Sequence, residues 1–206
     1  WNVKITGDQA MEHYRGVIMG CLKEEISPGC HLEENTRADI YGYVVPFCLE
    51  LMKLMKEYQI PIKIRACDTM GYGVNYPGAG IPRSVQGIIY ALHTHAGVPH
   101  ELLEWHGHND FYKAVVNSST AWLYGCSGVN TSLFGIGERT GNTPLEAMVF
   151  EYAQLRGTLN GMDTRVITEL AEYYEKEIGY HIPPRTPFVG KNFNVTRAGI
   201  HADGLL

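Results

Sequence analysis

Four times between residues 29 and 157 a short apolar run rich in strand formers gives way to a longer stretch with helical spacing. This alternation, at about 35 residues per unit, restricts the chain to an α/β architecture with a parallel sheet and helices packed outside it. The strand candidates are GCHLEE, IPIKIRACD, ELLEWHGHND and CSGVNTSLFG. The helices between them are DIYGYVVPFCLELMKLMKEY, expected to bend at Pro46, then IPRSVQGIIYALHTHAG, FYKAVVNSSTAWLYG and LEAMVFEYAQLRG. Thr143, Pro144 and Glu146 predict the start of the last of these. Ahead of the first unit, Thr6 and Gln9 form a capping-box pattern before a run through Met11, Tyr14, Ile18 and Leu22. After Gly157 a further helix runs through TRVITELAEYYEKEIG, and the Pro- and Gly-rich tail reads as a linker.

Charge and cysteine usage narrow the function classes. A net charge of −5 with no basic run argues against a nucleic-acid partner or an anionic membrane surface. No stretch approaches the roughly 18 apolar residues that a membrane span needs. Five scattered cysteines with no CxxC pair read as reduced thiols in a cytoplasmic protein.

Chemistry concentrates at LLEWHGHNDFYKAVVN. On a strand, residues i and i+2 project from one face, so His106 and His108 present two imidazoles side by side. In parallel α/β folds ligands collect at the carboxyl ends of strands, where this pair sits. Neutral imidazoles suit Zn, Mn or Fe, and an oxygen-rich remainder admits Mg. By itself the pair is equally well read as two satisfied polar residues at a strand mouth. His93 and His95 share the spacing but fall in an expected helix, where i and i+2 lie about 200° apart, so they are expected to be ordinary rim residues. At the next strand end, Gly135, Gly137 and Gly141 do not match a dinucleotide fingerprint. They nevertheless let backbone approach a ligand, and Asn142 beside them offers a neutral oxygen.

Together these residues bring out a resemblance. HGHNDFYKAVVNSSTAWLYGCSGVNTSLFGIGERTGN resembles the HxHND…GxGERxGN signature of the metal-dependent acyl-CoA Claisen-condensing enzymes. That family comprises isopropylmalate, homocitrate, citramalate and Re-type citrate synthases, with HMG-CoA lyase a more distant relative. CHLEENTRAD, IRACDTMGYGVNYPG and RAGIHADG are similar to three further segments of the family, in order along the chain. The family fold is a TIM (β/α)8 barrel, which takes about 250 residues, so the resemblance implies the C-terminal half of a barrel plus the start of a linker or lid. The expected layout is barrel half over 1–160, helical extension over 161–190 and lid over 191–206. The family's first-strand aspartate, a metal ligand, has no counterpart here, and the chain is expected to be a fragment.

The resemblance implies that His106, His108 and Asn142 hold a divalent metal (Mn, Mg, Zn or Co). It implies that Thr69 binds the carboxylate of a 2-oxo acid, and that Glu33 and His201 serve proton abstraction from acetyl-CoA. His201 is expected to act across a homodimer interface. Alternatives stay open: Glu33 as a capping or ion-paired carboxylate, Arg37 as a strand cap or a substrate contact, Asp110 as a support for a histidine or a helix cap. Glu138 and Arg139 are expected to form a turn-stabilising pair. Phe111, Tyr112 and Lys113 stand where many of these synthases are small and apolar. Bulk and positive charge there favour a short oxo acid with a second carboxylate, hence oxaloacetate and a Re-type citrate synthase, with Lys113 as a substrate contact. The bland reading is that Lys113 faces solvent. The rivals are synthases for other oxo acids, a lyase running the reverse cleavage, and a non-catalytic half-barrel.

Overall fold

A computed structural model describes residues 5–196. His201 and the GIHADG segment lie outside the described residues. The chain divides into two compact units, Trp1–Pro144 and Leu145–Leu206.

The first unit opens with α1 (Gly7–Lys23), started by the expected capping box: the Thr6 hydroxyl accepts from the Gln9 N–H and the Gln9 side chain accepts from the Thr6 N–H. There follow β1 (Gly29–Leu32), α2 (Val45–Tyr58), β2 (Lys63–Asp68), α3 (Val85–Tyr90), β3 (Leu103–Gly107), α4 (Ala114–Leu123) and β4 (Gly128–Asn130). The strands form one parallel sheet in the order β1-β2-β3-β4, the parallel arrangement that the alternation predicts and the half-barrel that the resemblance implies. A π-turn over Ile40–Val44 leads into α2, and Pro46 lies in the first turn of that helix. Helical bonds run up to the Val45 N–H, which donates to the Ile40 carbonyl, and the missing N–H of Pro46 falls where the π pattern gives way to α, so the expected bend becomes a change of helix type. The third helix begins only at Val85, capped by Ser84, and ends in a π-turn over Ala91–His95. The fourth strand is cut short because Leu133–Gly135 turns back, with Phe134 at φ 56°.

Alternation along the strands gives the sheet two different faces. Ile64 and Ala66 of β2, with Leu103 and Trp105 of β3, share one apolar core with Phe47, Leu51, Ile88 and Ile89 of the helices. On the other face, cross-strand register builds polar rows. One row holds His31, Arg65 and Glu104; the next towards the carboxyl ends holds Cys67, His106 and Asn130.

In the second unit, α5 (Leu145–Arg156) and α6 (Arg165–Tyr173) are followed by a π-turn over Tyr174–Ile178, closed by Gly179 at φ 73°. Phe188 stacks on Phe150 at 4.5 Å and meets Phe193 at 6.0 Å. Lys191 is ion-paired to Glu175 at 2.8 Å. Among the described residues no helix is long and apolar enough to cross a membrane.

Candidate active site

The site forms where the loops after β1, β2, β3 and β4 meet. β3 ends at Gly107, so His106 is the last inward-facing residue of the strand, and His108 continues as an isolated antiparallel bridge to Asn142. The imidazoles meet with Nε2 to Nε2 at 3.0 Å and ring planes at 87°. His106 Nδ1 lies 2.8 Å from Asn130 Oδ1, its cross-strand neighbour. An amide oxygen only accepts, so the His106 proton sits on Nδ1 and the Nε2 lone pair is turned to His108 Nε2, from which it accepts. Burial, and then the neighbouring His108, draw the His106 imidazole below its ordinary pKa. It is therefore held neutral, the form that ligates metals.

These residues fit a divalent metal. Two nitrogens at right angles with metal bonds of about 2.1 Å lie about 3.0 Å apart. That is the separation of the two Nε2 atoms. Asn142 Oδ1 is buried without a hydrogen-bond partner, an acceptor lacking a positive group, and His108 Nδ1 is likewise unpartnered. Among the described residues no three His, Cys, Asp or Glu side chains group together as a complete metal site. Two imidazoles and one amide oxygen are what the described residues offer there.

Glu33 and Thr69 come together as well. The Thr69 hydroxyl donates to Glu33 Oε2 at 2.5 Å and accepts from the Glu34 N–H at 2.8 Å. Beneath them Asp68 is fully buried; Thr36 donates to one oxygen at 2.7 Å and the Gly73 N–H to the other at 3.0 Å. Burial raises its pKa, while those donors oppose the rise. The Cys67 thiol is pushed far up by burial and by the Glu33 carboxylate, so it stays protonated. Arg37 pairs with Glu34 at 2.5 Å and lies 5.6 Å from the Tyr72 ring. Lys113 sits 5.5 Å from the Phe111 ring, its pKa lowered by partial burial despite the charge of Asp68.

Three expectations change. Asp110 does not cap α4, whose N-cap is Lys113; the Ala114 N–H at its start donates to the Asn109 side chain at 3.3 Å. Asp110 instead pairs with Arg139 at 2.8 Å, with Glu138 only at 3.7 Å from that guanidinium. Arg139 also donates to the Thr69 carbonyl, so one side chain ties together the loops after β2, β3 and β4. Its partners lie 29 and 70 residues away, beyond any local signal. Third, His93 and His95 occupy a π-turn rather than a regular helix. His93 stacks on His100 at 3.6 Å, and His95 meets Tyr41 and Tyr90 edge-on. Neither belongs to the polar rows of the sheet.

The fold and this cluster define a class: a parallel β/α half-barrel with a histidine pair, an amide oxygen and a carboxylate at the carboxyl ends of its strands. Residues 22–173 match the HMGL-like family, and the chain belongs to it. It is 64% identical over 204 residues to a citrate (Re)-synthase of Clostridium kluyveri, covering 99% of this chain and 45% of that protein. It is 57% identical over 204 residues to a citrate (Re)-synthase of Syntrophus aciditrophicus, covering 99% of this chain and 32% of that protein. The chain thus spans less than half the length of either relative. A hydroxymethylglutaryl-CoA lyase from Pseudomonas aeruginosa has the same fold, with TM-score 0.64, 18% identity and coverage of 87% of this chain and 59% of that one.

Proposed function

We propose that the protein condenses acetyl-CoA with oxaloacetate to give citrate and free CoA, as a Re-type citrate synthase. The supporting observation is identity to relatives of that name along nearly the whole chain, together with the paired imidazoles 3.0 Å apart beside the unpartnered Asn142 oxygen.

His106, His108 and Asn142 would hold the divalent metal, which when bound supplies polarisation of the keto group of the oxo acid. Asn130 keeps the His106 lone pair turned towards the site. Thr69 hydrogen-bonds the carboxylate next to that keto group, and turning its hydroxyl to the substrate frees Glu33 Oε2 from the bond it now accepts. Glu33 and His201 then share the proton work. A proton leaves the acetyl methyl of acetyl-CoA for His201, and the resulting carbon nucleophile attacks the keto carbon, whose oxygen takes up a proton. Water then cleaves the thioester to a carboxylate and CoA, which makes the sequence irreversible. A positioned base is required because the methyl proton is very weakly acidic. Arg37 and Lys113, both beside aromatic rings at the mouth, draw the anionic substrates inward. The free cysteines suit a cytoplasmic setting.

Free-CoA release by the full-length protein tests this reading, with acetyl-CoA offered against oxaloacetate, 2-oxoglutarate, pyruvate and 2-oxoisovalerate. The greatest release is expected with oxaloacetate; a preference for 2-oxoisovalerate would refute the assignment. A second experiment addresses His201 and the homodimer. Full-length His201→Ala and His106→Ala chains are each expected to be inactive, and mixing them should restore up to one competent site in two. No recovery on mixing would mean that His201 does not act in trans.

A further inference from the structure

We infer that Arg65, with His31 beside it, seats the second carboxylate of a dicarboxylic 2-oxo acid one row below the histidine pair; this rests on the condensation reading above. The first support is register. Arg65 pairs with His31 on one side and Glu104 on the other, and Cys67, two residues on, pairs with His106. Residues two apart on a strand share a face, so Arg65 and His106 point the same way. Neither residue lies on the apolar, helix-covered side that holds Ile64 and Ala66.

Charge is the second support. The inner face of a TIM barrel is ordinarily filled by Val, Ile and Leu, yet this row carries ions. Glu104 accepts from Arg65 Nε at 3.0 Å and Nη2 at 2.7 Å, and from Lys63 Nζ at 2.7 Å. Two cations thus share one carboxylate, leaving an excess positive charge. Glu104 engages only the Nε and Nη2 side of the guanidinium. The Nη1 end turns instead to His31 Nε2 at 3.0 Å. A partly buried guanidinium held rigidly from one side, with its other end beside an imidazole, is a preorganised seat for a carboxylate.

Length is the third. Rows two residues apart along a strand are separated by about 6.6 Å. From the keto carbon of a four-carbon 2-oxo diacid the far carboxyl carbon, two C–C bonds away, lies at about 2.5 Å, its oxygen adds about 1.2 Å and a hydrogen bond about 2.8 Å, a reach of about 6.5 Å. A substrate held by its keto group in the His106 row therefore reaches Arg65 with its far carboxylate. A branched alkyl chain in the same place would desolvate Arg65 without pairing it, so the row also excludes isopropylmalate-type substrates. Lys113 stands elsewhere, over Phe111 and within the field of Asp68, which alternates to the opposite side of β2 from Cys67.

The test compares kinetics on oxaloacetate and on pyruvate, which lacks the second carboxylate, in the full-length protein. Arg65→Gln is expected to raise the KM for oxaloacetate about 10- to 100-fold, the usual effect of losing a charged hydrogen bond. The KM for acetyl-CoA and kcat/KM on pyruvate should hold within about 3-fold, and Arg65→Lys should recover part of the loss. Since Arg65→Gln strips Glu104 of one of its two cationic partners and leaves only Lys63, the Arg65→Gln/Glu104→Gln double variant removes the under-paired carboxylate and carries the same test if the single variant does not fold. An oxaloacetate-to-pyruvate preference unchanged in the folded variants overturns the inference and leaves the condensation reading standing. Equal losses on both acids, or a rise confined to acetyl-CoA, overturn it too. A wild-type protein that releases no CoA with oxaloacetate removes both.

Discussion

Replacing His106 with Ala in the full-length protein is expected to empty the metal site and lower turnover by at least about 1000-fold, because polarising the keto group supplies several kcal/mol that no remaining side chain provides. The same loss is expected for His108→Ala, since the two Nε2 atoms face one another at 3.0 Å and neither alone makes a chelating pair. His93→Ala is the internal comparison. His93 has the same spacing to a second histidine, but its Nδ1 is bonded to the Val98 carbonyl at 2.9 Å and its ring lies on His100. Removing it costs about 1 kcal/mol of stability and leaves the metal in place. Metal content by elemental analysis of the dialysed variants, read beside CoA release, decides the matter. Equal metal loss from His93→Ala and His106→Ala would remove the histidine pair from the site.

Gly141→Ala is expected to be nearly as damaging, although residue 141 brings no side chain to the chemistry. Gly141 has φ 98°, and a Cβ there would stand 2.2 Å from the Gly135 carbonyl oxygen, which is backbone and cannot swing aside. That same carbonyl accepts from the Asn142 N–H at 2.9 Å, and the Gly141 carbonyl accepts from the Asn109 N–H at 2.9 Å. One methyl group therefore pries the glycine-rich loop from the loop after β3, and Asn142 moves with it. Backbone strain of this kind costs about 1–3 kcal/mol. The effect on the site is greater, because ligand geometry tolerates only about 0.5 Å of drift. Metal affinity and turnover should each fall about 100-fold or more, by analogy with displaced metal supports. Gly157→Ala separates the causes: it too has positive φ, at 69°, but nothing lies within 4 Å of its would-be Cβ. It should cost about 1 kcal/mol and leave the metal alone. A Gly141→Ala protein with unchanged metal affinity would show that the loop is not what places Asn142.

Much of this was legible in the residues because the relevant physics is local. A strand has period 2, so the spacing of His106 and His108 already put two imidazoles on one face. Alternation of apolar runs with helical stretches already required a parallel sheet, and Thr6 with Gln9 already specified how α1 begins. The motif resemblance drew Glu33, Thr69 and Asn142 to the same place, and the fold brings Glu33 and Thr69 into contact and sets Asn142 against His108. Where local rules compete, the residues alone erred on boundaries: the π-turns at Ile40–Val44 and Ala91–His95 interrupt stretches whose spacing reads as continuous helix.

Tertiary structure alone decided who neighbours whom across the sheet. Parallel strands are joined by crossovers, and their relative stagger is set by how helices pack on the other face, which no short window of sequence encodes. That stagger aligns Asn130 with His106 and fixes its proton on Nδ1. It lines Arg65 up with His31 and Glu104, turning a strand position to which no motif gives a role into part of a charged row beneath the histidines. Loop closure likewise hands Arg139 to Asp110 and to the carbonyl of Thr69, 70 residues away, where its own neighbour Glu138 had been the natural partner to expect. Side-chain type and strand period are properties of the chain; the register that converts them into a site arises only when the helices close over the sheet.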